Sequence, residues 1–149
     1  MSEKPRILII DDDEDVRKVV MTALQDEGYL VEPASNGAEA VKKTESQVYN
    51  LAVIDIRLPD LEGTQLLSKM KDTTPKMRKI ILTGYADLRN AIEAVNKGAD
   101  GYLTKPVEMN QLVEMIKTQL LKQREERNYG EGKIKQFIET RLKELDGRD

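Results

Sequence analysis

Five side chains in this sequence stand where a strand-like run gives out, and together they could carry out phosphoryl chemistry. Asp11 and Asp12 follow the run Arg6–Ile10, Asp55 closes Leu51-Ala52-Val53-Ile54, Thr83 closes Lys79-Ile80-Ile81-Leu82, and Lys105 follows Gly101-Tyr102-Leu103-Thr104. Ligands of an open α/β sheet lie outside the carboxyl ends of its strands, so all five belong at one rim. A lone strand-end Asp serves equally well as a cap on the loop after it; what sets Asp55 apart is its company. Three crowded carboxylates repel and raise one another's pKa unless a cation joins them. With Lys105 the set carries a formal charge of −2. A divalent hard cation neutralises it, and Mg²⁺ is the expected one because it accepts carboxylates, water and phosphate oxygens in an octahedron. Asp55 could then attack an electrophilic phosphoryl group whose oxygens are stabilised by Mg²⁺, Lys105 and the Thr83 hydroxyl.

The elements needed to hold these residues are legible in the hydrophobic pattern. The first strand, β1, covers residues 6–10. Asp13 then offers an N-cap, Glu14 and Asp15 fill the first turn, and Val16, Val19, Val20, Ala23 and Leu24 recur at helical spacing as far as Gly28, giving α1. Residues 29–34 predict β2. Asn36-Gly37 opens α2, which carries Ala38, Ala40 and Val41. Residues 51–54 are apolar throughout and rich in β-branched types, so β3 should be buried on both faces. Pro59 and Gly63 bracket a turn, and Leu66, Leu67 and Met70 mark α3, broken at Thr73-Thr74-Pro75. Residues 79–83 give β4. Ala91, Ile92, Ala94 and Val95 give α4, ending at Gly98, and residues 101–104 give β5, expected to be buried. Leu112, Val113, Met115, Ile116, Leu120 and Leu121 mark α5. Five alternations of strand and helix imply an α/β fold with a doubly wound five-stranded parallel sheet.

Composition narrows the function. The 149 residues are 39% hydrophobic and 34% charged, enough for one domain and an appendage. There is no run of eighteen apolar residues and no basic-then-apolar leader, so neither a membrane span nor a secretory signal is expected, and a cytoplasmic protein is. With no cysteine there are no disulfides or thiolates, and with no histidine the commonest transition-metal ligand and general base is missing. A net charge of −3 gives no footprint for direct nucleic-acid binding.

Ile9-Ile10-Asp11-Asp12, Asp55 with Pro59 and Gly63, Thr83-Gly84 and Lys105-Pro106 together resemble the receiver domain of two-component response regulators, over about residues 4 to 121. The resemblance implies the flavodoxin-like fold of chemotaxis-type regulators, with β/α repeated five times. It implies Asp55 as phosphoacceptor, fed by a sensor histidine kinase. It implies Mg²⁺ held by Asp12, Asp55, the main-chain carbonyl of Arg57 and waters, with Asp11 acting through water. Thr83 and Tyr102 match the family's switch pair, and the Lys105-Pro106 peptide would be cis. Arg57 and Tyr85 occupy positions that tune loss of the phosphoryl group. Such a chain is a switch and no enzyme toward other substrates, catalysing only its own phosphorylation and dephosphorylation. A rival is a phosphohydrolase of the haloacid dehalogenase type, since Asp11-Asp12-Asp13 contains an Asp-x-Asp element; but no acidic pair follows a later strand, the length leaves no room for a cap domain, and Asp55 would be unexplained. A receiver-like platform that is never phosphorylated is the other alternative.

Residues 122–149 exceed a minimal receiver and read as a charged helical extension, or a linker to an output domain outside this sequence. Ile134, Phe137, Ile138, Arg141, Leu142 and Leu145 recur three or four apart, predicting an extra C-terminal helix over 133–145, beyond Asn128-Tyr129-Gly130-Glu131-Gly132. Its apolar stripe calls for burial against the receiver or a partner, a homodimer through α4-β5-α5 or through this helix being one such arrangement; the alternative for so charged a segment is a frayed, solvated end.

Overall fold

The apolar runs become strands because their alternate side chains can be buried on two opposite faces. In the computed structural model, which describes residues 4–71, 73, 75–84 and 88–146, β1 is Arg6–Ile10, β2 Leu30–Ala34, β3 Leu51–Asp55, β4 Arg78–Thr83 and β5 Gly101–Thr104. They form one parallel sheet in the order β2-β1-β3-β4-β5. The helices are α1 (Glu14–Asp26), α2 (Gly37–Ser46), α3 (Gly63–Lys69), α4 (Leu88–Asn96) and α5 (Met109–Asp146). Leu8, Ile10, Ala52, Ile54 and Ile81 face a core completed by Ala40, Leu66, Leu67 and Ala94 from α2, α3 and α4. The alternate residues Ile7, Ile9, Leu51, Val53, Ile80 and Leu82 face Val20 and Leu24 of α1 and Leu112, Ile116 and Leu120 of α5. The two-sided burial expected of β3 is thus met at each of its residues.

Local signals set the boundaries. The Asp13 carboxylate accepts from the Asp15 and Val16 nitrogens and starts α1. Gly28 and Gly98, at φ 94° and 105°, end α1 and α4 in the left-handed region that glycine enters without a Cβ penalty.

Four expectations need correcting. First, β5 is only partly buried, Tyr102 included, because it is an edge strand with a neighbour on one side alone. Second, Val19, Ile92 and Val95, which share helical spacing with core residues, are exposed. Third, Met70 is the C-cap of α3 rather than part of it; Thr74 and Tyr85 lie outside the described residues. Fourth, the extra helix is the continuation of α5, which runs unbroken through Gly130 and Gly132.

The receiver also grips α5 past residue 121. Gln123 is buried, and its amide donates to the carbonyls of Asn50 (2.9 Å) and Lys76 (2.8 Å). Arg78 forms an ion pair with Glu126 at 2.5 Å. Beyond these contacts the helix projects, and its apolar side chains do not dock on the sheet domain. Among the described residues no helix is long and apolar enough to cross a membrane.

Candidate functional site

The register of the sheet brings the strand ends together. Ile10 pairs with Ile54 and Asp55 with Leu82, so the residues that follow β1, end β3 and end β4 meet at one edge. Asp11, Asp12 and Asp55 each offer a carboxylate oxygen within 4.8 Å of the others. Asp11 and Asp55 are 2% and 7% exposed, whereas Asp12 faces solvent.

Lys105 closes the group. Its Nζ lies 3.3 Å from Asp11 Oδ2 and 3.3 Å from Asp55 Oδ2. The other oxygen of each acid is held by backbone: Asp11 Oδ1 accepts from the Asp13 nitrogen at 2.9 Å, and Asp55 Oδ1 from the Arg57 nitrogen at 3.3 Å. The Lys105-Pro106 peptide is cis. Burial, reinforced by the Asp11 charge, pushes the Asp55 carboxyl above its ordinary range, against the pull of Lys105. Burial alone would lower Lys105, but the Asp11 and Asp55 carboxylates raise it above the usual ammonium value. The result is a compact site with more negative than positive charge, made of hard oxygen donors. That chemistry fits Mg²⁺ or another hard divalent cation.

Thr83 is fully buried at the end of β4, and its carbonyl accepts from the Lys105 nitrogen at 2.6 Å. Tyr102 sits on β5 opposite Ile81, packed against the core shared with α4.

The loop after β3 is folded back tightly. The Gly63 nitrogen donates to the Ile56 carbonyl at 2.6 Å, and a Cβ at Gly63 would lie 2.5 Å from the Asp55 carbonyl oxygen. No other residue fits there. Two positioning residues escape a reading by spacing. Asp60 Oδ1 and Oδ2 accept from the Gly37 and Ala38 nitrogens, both at 2.9 Å, and tie this loop to the start of α2. Arg17 reaches from α1 to the Asp11 carbonyl at 2.7 Å. Asp60 looks like an ordinary turn residue, since its partners are more than twenty positions away and carry no side-chain signal. Beside Lys105 and Pro106 opens an apolar groove of about 300 Å³ lined by Val16, Val19, Val107 and Met109.

Comparison with known proteins agrees with this geometry. The family model for the response regulator receiver domain matches residues 7–117. The regulatory protein VanRc of Enterococcus gallinarum is 38% identical over 120 residues, 80% of this chain and 51% of VanRc. GlrR, a transcriptional regulatory protein of Escherichia coli, is 34% identical over 117 residues, 26% of its length. The chain therefore spans between a quarter and about half of these relatives. Among solved structures, a CheY-like receiver domain protein from Methanospirillum hungatei is similar at 45% identity and a TM-score of 0.79, covering 83% of this chain and 99% of that one. A response regulator from Burkholderia pseudomallei, solved with a phosphorylated aspartic acid and a calcium ion, is 29% identical with a TM-score of 0.69, covering 83% of this chain and 72% of that one.

Proposed function

This chain belongs to the response regulator receiver domain family, and from its pocket we propose that it is a phosphorylation-activated switch in which Asp55 accepts a phosphoryl group from a sensor histidine kinase. The observation that carries the reading is the double contact of Lys105 with Asp11 and Asp55. An ammonium there can leave the carboxylates for a phosphoryl oxygen as soon as a phosphate is attached to Asp55. The Asp55 oxygen forms the new bond to phosphorus, the bond from phosphorus to the donor imidazole nitrogen breaks, and the imidazole leaves with its electron pair. This chain has no histidine, so the donor histidine lies outside these 149 residues. The apolar groove beside Lys105 gives that donor a place to dock.

Asp11, Asp12, Asp55 and the Arg57 carbonyl would hold Mg²⁺, which supplies charge neutralisation for the incoming phosphoryl oxygens. The Burkholderia relative, solved with a phosphorylated aspartic acid and a calcium ion, supports an acyl phosphate and a hard divalent cation here as well. The acyl phosphate carries roughly −1.5 to −2 charge in place of the single charge of the Asp55 carboxylate, a net gain of about one negative charge at the rim, and its oxygens give the Thr83 hydroxyl a new acceptor. Thr83 moves toward it, Tyr102 turns into the space released, and the α4-β5-α5 surface changes to control a partner or self-association. The domain proper is residues 4–121, with 122–149 an extension that serves this output.

Intact-mass spectrometry after incubation with Mg²⁺ and a small phosphodonor tests the reading. One added phosphoryl group in the wild type and none in Asp55→Asn is the expected result; the same gain in both would sink the assignment.

A further inference from the structure

The projecting half of α5 carries an apolar stripe that the receiver leaves bare. Ile134, Phe137, Ile138, Leu142 and Leu145 recur three or four residues apart and are between 51 and 67% exposed. At 3.6 residues per turn the stripe lies in line with Leu112, Ile116 and Leu120, which bury α5 against the sheet. One face of one helix is therefore core as far as Gln123 and solvent-exposed beyond Arg127. Such a face gains free energy only by being covered.

Charges along the stripe select what covers it. Arg127, Glu131 and Arg141 fall on the same face as the apolar residues. Within one helix Arg127 pairs with Glu131 at 3.3 Å and Arg141 with Glu144 at 3.5 Å, but a parallel in-register pair of copies would still set each of the three opposite its own kind, Arg on Arg and Glu on Glu, which is unfavourable in a helical seam. Turning one copy round removes the conflict. With Ile134 opposite Ile138 of the second copy, Glu131 comes opposite Arg141, and Arg127 comes opposite Leu145, whose side chain its aliphatic stem can cover. The lengths agree as well. In this register every residue from 127 to 145 meets one from the same span, about 28 Å of helix, and the paired span begins just past the Arg78–Glu126 ion pair, clear of the sheet domain.

We propose that two copies of this chain associate through an antiparallel pairing of their projecting α5 helices, with Glu131 of each against Arg141 of the other. The pairing rests on the exposed face of α5 and not on the phosphoryl site, so either can fail without the other.

The absence of native cysteine makes the orientation measurable in the full chain. Glu131→Cys and Arg141→Cys variants are mixed and mildly oxidised, with sedimentation of the wild type in parallel. Dimeric wild type, a disulfide between positions 131 and 141 at least tenfold over either self-disulfide, and a monomeric Ile138→Asp variant with an unchanged receiver melt are the expected results. Monomeric wild type at tens of micromolar overturns the pairing. So does a dimer in which the 131–131 and 141–141 disulfides prevail, which would make the helices parallel.

Discussion

The Asp60 carboxylate sits on the N-terminus of α2, its Oδ1 2.9 Å from the Gly37 nitrogen and its Oδ2 equally close to that of Ala38. A helix start has unpaired N–H groups, and an acid there is favoured by both hydrogen bonding and the helix dipole. Here the acid comes from the loop that leads out of the phosphoacceptor strand, so one interaction caps α2 and anchors the peptide around Arg57.

Asp60→Ala is accordingly expected to melt below the wild type at pH 7, and Asp60→Asn, which keeps one acceptor, to fall between them. The Gly37 and Ala38 N–H groups hold the Asp60 pKa below its ordinary value. A depressed acid contributes stability that is full above its unfolded pKa, about 3.9, and is lost as pH falls through the lower folded value. The gap between Asp60→Ala and wild type should therefore close on acidification below pH ~4. Melting curves from pH 3 to 7 check this, and a gap that persists at the acid end counts against the cap.

For Asp55 the sign is opposite. Burial and the neighbouring Asp11 raise its pKa, so ionising it costs the fold stability as pH rises from the unfolded value through the folded one. Without divalent cation, Asp55→Asn should be more stable than wild type at pH 7, and the difference should vanish near pH 4, where the unfolded carboxyl is already half protonated. Urea titrations at the two pH values decide the matter.

Mg²⁺ should remove that cost. A ligand that binds only the native state stabilises it by about 2.7 kcal/mol at a hundredfold excess over its Kd. In a domain of this size that is a rise on the order of 5–10 °C. The same Mg²⁺ addition to Asp12→Ala should raise the melting temperature far less, because one of the three clustered carboxylates is gone. Equal rises in both proteins would remove Asp12 from the metal site.

Much of this arrangement was legible in the sequence, for physical reasons that also explain what was not. The strands read clearly because residues 7–10 of β1, 51–54 of β3 and 80–82 of β4 are buried on two faces and apolar without a break, and the acids that follow β1 and end β3 interrupt that pattern visibly. Asp13 and Gly28 act through neighbours in the chain, so their types alone gave the limits of α1. Asp60 and Arg17 act across the fold on backbone atoms, which every residue carries, and no spacing reports them. Ile92 and Val95 share the period of a core face but lie at its margin, where periodicity does not distinguish buried from exposed.

Thr83 and Tyr102 stand on adjacent strands, Thr83 at the end of β4 and Tyr102 paired with Ile81. If the Thr83 hydroxyl is what draws the change toward Asp55, Thr83→Ala should still be phosphorylated, because Asp55, Lys105 and the clustered acids are untouched, yet the Tyr102 ring should stay in its resting environment. Ring proton shifts of Tyr102, compared before and after addition of phosphodonor, give the readout. Shifts of wild-type size in Thr83→Ala would show that the hydroxyl is not the link.

Gly130 and Gly132 pose the last question, since a Gly-Glu-Gly stretch reads as a break and the structure runs a helix straight through it. Glycine is costly in a helix, by roughly 1 kcal/mol against alanine, but does not forbid one. Forming an isolated helix requires an unfavourable first turn, whereas this one grows from a section already ordered by Leu112, Ile116, Leu120 and the Gln123 and Glu126 contacts. Nothing lies within 4 Å of where a Cβ would stand at either glycine. Gly130→Ala and Gly132→Ala should therefore stabilise the projecting segment without a clash, each slowing amide exchange over residues 133–145 by roughly fivefold, the equivalent of about 1 kcal/mol. The double variant should also self-associate more tightly, because a stiffer helix loses less freedom on pairing. Exchange measured by NMR on the full chain separates the outcomes: faster or unchanged exchange in the alanine variants would mean that the glycines mark a real interruption and that α5 ends with the receiver.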